Sequence, residues 1–163
     1  MNVCTLNYVG LLAPGILFII TILLLTNKPT YLKFFMLGFI LNNGINILLK
    51  LCIKEPRPST DKTNIEIAIY NGERISFDKY GMPSAHAQNC GYCLAFITMV
   101  YNSPTIAGIY FIISCLSMYQ RYSFNNHTIL QLLVGFIVGL FMGYIIYSIT
   151  NKYIVGNIKE KGN

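Results

Sequence analysis

Long apolar runs alternate with short polar breaks along almost the whole of this 163-residue chain. The runs cover roughly residues 9–26, 31–53, 84–101, 105–119 and 127–150, and each predicts a helix of membrane-spanning character. Asn27-Lys28-Pro29-Thr30 and Asn102-Ser103-Pro104 interrupt them as tight polar turns, and Gln120 to Asn126 reads as a polar loop. The one long polar stretch is residues 54–83. Within it Ile65, Ile67 and Ile69 alternate with other residues up to Asn71-Gly72, and Ile75 and Phe77 alternate after it. Asn-Gly between alternating runs is a strong hairpin signal. The pattern predicts an all-α integral membrane protein, a bundle of five to six transmembrane helices with a small β-hairpin in the 54–83 loop, folded as a single domain over residues 1–163. No basic segment precedes the first apolar run, so that run reads as an anchor and not as a cleaved signal peptide.

Polar residues inside the apolar runs carry the next layer of information. Asn42, Asn46 and Lys50 recur every four residues and share one helical face. Polar groups in hydrocarbon are costly and usually turn toward the bundle interior. Gly135, Gly139 and Gly143 repeat at the same interval and predict close approach of a neighbouring helix. Pro83-Ser84 closes the long loop, and Ser84 is a good N-cap for the helix that follows. The first-turn amides of that helix, at the positive end of its dipole, make a ready anion site.

Composition agrees with the membrane reading. The chain is 54% hydrophobic and only 11% charged, against about 25% charged in soluble domains. Its formal charge of +6 is scattered among the apolar runs and forms no stripe, which argues against a nucleic-acid partner. Membrane flanks and an anionic ligand explain the excess better. The five cysteines lie mostly in apolar runs. Cys90-Gly91-Tyr92-Cys93 has redox spacing but stands within a predicted helix, so it reads as packing.

With five spans, the 54–83 and 120–126 loops fall on the same side of the membrane. Three permanent cations (Lys50, Arg57, Arg121), a hydroxyl at a helix start (Ser84) and two histidines (His86, His127) then emerge together. Taken singly, each has an ordinary reading as an interfacial anchor or a satisfied polar residue. Jointly they suit phosphoryl transfer, where catalysis is mostly positioning and charge stabilisation. Arginine forks and a lysine point charge bind phosphate oxygens, while two imidazoles allow one to attack phosphorus and the other to protonate the leaving oxygen. No metal or cofactor is called for.

The spacings Lys50-x6-Arg57-Pro58, Pro83-Ser84-Ala85-His86 and Arg121-x5-His127 resemble the three motifs of the type 2 phosphatidic acid phosphatase superfamily. The segments Asn42 to Lys50, Lys54 to Pro58, Lys79 to Gln88 and His127 to Gln131 are most similar to its dolichyl-diphosphate phosphatase branch. The resemblance implies that His127 is the nucleophile, forming a phosphohistidine, and that His86 is the general acid. Lys50, Arg57, Ser84 and Arg121 would hold the phosphate oxygens, with backbone amides near Ala85. Three positions depart from the common pattern: Ala85 replaces glycine, Gln120 replaces serine, and Gln131 replaces the aspartate that orients the nucleophile. A glutamine carbonyl accepts the Nδ1 proton and fixes the tautomer, but brings no full charge. The branches acting on dolichyl diphosphate and glucose 6-phosphate also carry glutamine there. Superfamily cores commonly have six helices, against five spans here.

The implied function is metal-independent hydrolysis of a polyprenyl diphosphate, dolichyl diphosphate first, to the monophosphate. A broader lipid phosphate phosphatase and a non-catalytic lipid-binding membrane protein are the alternatives. Charge does not orient the chain: Lys28, Lys33, Lys152, Lys159 and Lys161 on one side face Lys54, Arg57, Lys62, Arg74, Lys79 and Arg121 on the other. The resemblance implies a multi-pass protein of the endoplasmic reticulum with a lumenal site and a cytosolic C-terminus. There Lys159-Glu160-Lys161-Gly162-Asn163 resembles a dilysine retrieval signal. Asn126-His127-Thr128 fits a glycosylation sequon, expected to be unmodified because it holds the proposed nucleophile.

Overall fold

The computed structural model describes residues 3–58, 69–70, 73–74 and 76–157. Among them are five helices, α1 (Val3–Leu24), α2 (Pro29–Ile53), α3 (Ala85–Tyr101), α4 (Pro104–Ser123) and α5 (Ile129–Asn157). Local chemistry sets their ends. Pro29 and Pro104 open α2 and α4, where a missing N–H costs nothing. Ser84 and Ser103 cap α3 and α4 by accepting the amides of Ala87 and Ile106. Lys54 and Asn102 close α2 and α3 in the left-handed conformation, their N–H groups bonding back to Lys50 and Thr98.

α3 is the axis of the bundle and packs against α1, α2, α4 and α5. Every residue from Ala87 to Ile97 except Asn89 is buried, as a helix enclosed by neighbours requires. Its tightest partner is α5. A side chain at Gly139 would run into the carbonyl of Gln88, and one at Gly135 would come within 2.5 Å of the carbonyl of Ser84. The glycine repeat is thus a packing seam that presses α5 onto the start of α3.

The outward surfaces are apolar. Leu23, Ile40, Ile112, Ile137 and Phe141 are all exposed, Ile40 at 68%, while Thr21, Asn42, Asn46, Lys50, Gln88, Ser114, Ser117, Gln120 and Arg121 are buried. Polar inside and apolar outside is the arrangement a lipid solvent favours. By length and composition, Pro29–Ile53 and Ile129–Ile154 are apolar helices long enough to cross a membrane, and Tyr8–Leu24 is a shorter apolar stretch.

Two details differ from the sequence reading. α4 continues through Ser123, so Gln120 and Arg121 are helical and not in a loop. Both face inward, and burial of these two side chains against the bundle favours the extra helical turn. Phe77 lies in a 3-10 turn, Ser76–Lys79, and not in a strand. In the 54–83 loop, Ile69–Tyr70 (β1) and Glu73–Arg74 (β2) pair antiparallel over two residues a side. That is too little to establish the expected hairpin, whose Asn71-Gly72 turn, Ile65, Ile67 and Ile75 lie outside the described residues, as does the Lys159–Asn163 tail. The base of the loop is closed by a Pro56–Tyr80 bridge and by the Gly81 amide donating to the Glu55 carbonyl at 2.8 Å.

Candidate active site

The C-terminal end of α2, the start of α3, the end of α4 and the approach to α5 meet at one end of the bundle. The closed base of the 54–83 loop lies over them. Lys50, buried in the last turn of α2, donates from Nζ to the Tyr80 carbonyl at 2.7 Å. Arg57, where the loop leaves α2, reaches in three directions. Its Nε and Nη2 donate to the carbonyl and carboxylate of Asp78 at 3.0 and 2.6 Å. Its Nη1 points at His127 Nε2 at 3.0 Å and donates to the Asn126 carbonyl at 3.3 Å.

That contact determines the state of His127. A guanidinium has only donors, so Nε2 accepts and carries a lone pair. The proton is then on Nδ1, which stands 3.2 Å from Gln131 Oε1. The ring is a neutral Nδ1–H tautomer. Burial, and after it the neighbouring Arg57, Arg121, Lys50 and His86, hold its pKa well below the ordinary 6.5. The imidazole is therefore unprotonated at Nε2.

Gln131 is fully engaged. Its Oε1 also accepts the Thr128 amide at 3.3 Å, while Nε2 donates to Glu55 Oε1 at 2.7 Å and to the Pro56 carbonyl at 2.9 Å. Acceptors face one end and donors the other, which fixes the orientation of the carboxamide. Gly81 makes room for it, since a side chain there would collide with the Gln131 amide group. The backbone of Gln131 accepts the Ser84 amide at 3.0 Å, tying the start of α5 to the cap of α3.

Ser84 is fully buried, with its hydroxyl 3.5 Å from the Ala87 amide. Ala85 and His86 form the first turn of α3 and are partly buried. Arg121 is buried at the end of α4, and its carbonyl accepts the Asn126 amide at 3.0 Å. The structure thus brings His127, Arg57 and Gln131 into direct contact, and places Lys50, His86 and Arg121 close enough to act on the His127 ring. Among the described residues no group of three His, Cys, Asp or Glu side chains could hold a metal ion.

Several residues at the site were missed in the sequence. Asp78 orients Arg57, and Glu55 holds Gln131. Beneath them Gln88 joins α3 to α2: it accepts from Asn46 at 2.7 Å and donates to the carbonyl and side chain of Asn42 at 2.7 and 2.9 Å. Asn46 also reaches the Pro83 carbonyl at 3.3 Å. The shared face of Asn42, Asn46 and Lys50 was the signal for this network, and the Glu55-Pro56-Arg57-Pro58 run was the signal for Glu55.

The site geometry sits within a chain of recognisable relatives. A dolichyldiphosphatase of Saccharomyces cerevisiae is 30% identical over 135 residues, 77% of this chain and 52% of that protein. A dolichyldiphosphatase 1 of Dictyostelium discoideum is 26% identical, over 80% of this chain and 57% of its own. A palmitoyl-protein thioesterase–dolichyl pyrophosphate phosphatase fusion of Schizosaccharomyces pombe is 24% identical, over 91% of this chain and 22% of its own. The chain therefore spans about half the length of the first two relatives and about a fifth of the fusion. No solved structure matches it. The model of the PAP2 superfamily matches residues 31–154, which include every site residue described above. By that match the chain belongs to the PAP2 superfamily.

Proposed function

We propose that this chain is a multi-pass membrane phosphatase that hydrolyses a polyprenyl diphosphate, dolichyl diphosphate first, to the monophosphate and inorganic phosphate. The observation that carries this reading is the neutral, buried His127, with its Nε2 lone pair held against Arg57 and within the field of Arg121, Lys50 and His86. The names of the related proteins support the choice of lipid.

In the proposed reaction the terminal phosphate enters among Lys50, Arg57, Ser84, Arg121 and the amides near Ala85. It draws Nη1 of Arg57 away from Nε2, which frees the lone pair as the substrate arrives. Nε2 attacks phosphorus, a P–N bond forms, and the P–O bond to the lipid monophosphate breaks as His86 protonates the departing oxygen. Water then gives a proton to His86 and attacks phosphorus. The P–N bond breaks and phosphate leaves. Side-chain cations stabilise the transferring group, so the reaction needs no metal.

The apolar outer surface and the membrane-length α2 and α5 support a bundle folded as one unit in the bilayer, with the site at one membrane face. Its placement on the lumenal side of the endoplasmic reticulum, with a cytosolic C-terminus, follows from the family resemblance. Purified protein should release phosphate from a polyprenyl diphosphate in the presence of EDTA. Retention of wild-type turnover in His127→Ala would refute the nucleophile.

A further inference from the structure

Among the described residues two carboxylates reach the site, and they are used differently. Asp78 pairs with Arg57 at 2.6 Å on the phosphate side. Glu55 lies on the other side of the imidazole and contacts Gln131. We propose that Glu55 is a positioning residue that acts on His127 through Gln131, supplying at one remove the negative charge that the glutamine itself lacks.

The geometry is a continuous chain of donors and acceptors. Nδ1–H of His127 points to Gln131 Oε1 at 3.2 Å, and Gln131 Nε2–H points to Glu55 Oε1 at 2.7 Å. An anion at the N–H end of an amide polarises it and makes the carbonyl oxygen a stronger acceptor. The short distance to Glu55 and the longer one to His127 leave room for the second bond to tighten when the ring becomes positive. That moment comes when Nε2 forms its bond to phosphorus and the imidazole, still protonated at Nδ1, gains a positive charge. Thr128 and Pro56 hold the remaining two sites of the carboxamide, so it cannot turn its nitrogen toward Nδ1. Glu55 is set in place by its own backbone, whose carbonyl receives the Gly81 amide. The same Gly81 leaves space for the carboxamide between loop and ring.

This inference rests on the reading of His127 as nucleophile, but one readout does not depend on turnover. The Nδ1–H proton of His127, observed by imidazole 15N-edited NMR of the full chain in micelles, reports the strength of the bond to Gln131. In Glu55→Gln an amide oxygen still accepts from Gln131 and only the charge is lost. That proton should then move upfield, and kcat should fall about 10- to 100-fold, as outer partners of catalytic groups typically do, with KM within about twofold of wild type. An unmoved Nδ1–H proton in Glu55→Gln would overturn the relay, whether or not the protein turns over substrate. Wild-type kcat in Glu55→Gln, in an active preparation, would overturn it equally. A wild-type protein inactive on every polyprenyl phosphate would instead refute the proposed function, while the NMR comparison would still decide the relay.

Discussion

One face of α2 carries two different chemistries. Its buried residues are Tyr31, Phe35, Gly38, Asn42, Asn46 and Lys50, a single stripe at three- and four-residue intervals. The first half packs into aromatic rings: Phe35 lies 5.4 Å from Tyr92 and 5.3 Å from Phe96 between ring centroids. Gly38 lets Tyr92 come close enough to donate to the Phe35 carbonyl at 2.8 Å. The second half packs through amides and an ammonium group, against Gln88, Pro83 and Tyr80. α3 supplies Tyr92 and Phe96 to the first half and Gln88 to the second, while Pro83 and Tyr80 belong to the segment that leads into it. The difference shows that periodicity decides which face is inside, while residue type decides whether that face packs through rings or through the polar contacts that border the candidate site. In lipid the aromatic half supplies packing, whereas interhelical polar pairs contribute modestly to stability, about 0.6 kcal/mol each.

Substitutions in and around the two halves should separate these roles. The largest effect belongs to the group they converge on: His127→Ala should lower kcat at least about a thousandfold in a phosphate-release assay, with helical content unchanged. Phe35→Ala should cost about 3 kcal/mol or more of stability, read in unfolding titrations, by opening a cavity in the aromatic half. Turnover per folded molecule should stay near wild type. Arg57→Gln should reduce kcat about a hundredfold, the scale of one lost charge-stabilising donor.

The Arg57 variant should also change the pH profile. As the proposed nucleophile His127 must be unprotonated at Nε2, so its depressed pKa would keep it active below pH 6.5, and the acidic limb of kcat/KM in the wild type should lie under that value. Removing the Arg57 charge relieves part of the depression, so the limb should move to higher pH. A wild-type limb at or above pH 6.5 would contradict the assignment of the neutral ring. The smallest effect is expected from Asn46→Ala. It should lower kcat about tenfold, on the scale of a lost outer-shell contact, and cost under about 1 kcal/mol of stability. An Asn46 variant as unstable as Phe35→Ala would erase the distinction between the two halves.

Much of this organisation was legible in the chain because helices repeat. The Asn42–Asn46–Lys50 face, the Ser84 cap and the Gly135–Gly139–Gly143 seam each follow from a spacing of three or four residues, and each is present. Lys50, Arg57, His86, Arg121 and His127 could be named because the motif spacings fix them, although their contacts could not. Arg57 reaches His127 only because Asp78 holds the other edge of the guanidinium. Asp78 and Glu55 sit where the 54–83 loop leaves and returns, and no periodic pattern encodes the path of that loop. The end of α4 was misread for a related reason. Gln120, Arg121 and Ser123 look like loop composition, but Gln120 and Arg121 are buried against other polar groups and the helix runs on through them.

The most direct test of the account is to quench the protein during turnover of a polyprenyl diphosphate radiolabelled in its terminal phosphate and to map any label on the chain. The account predicts an acid-labile, base-stable phosphoramidate on the peptide containing His127, absent from His127→Ala and lost when excess unlabelled substrate is added before the quench. Label on another residue, or steady turnover by a preparation in which His127 never carries phosphate, would contradict it.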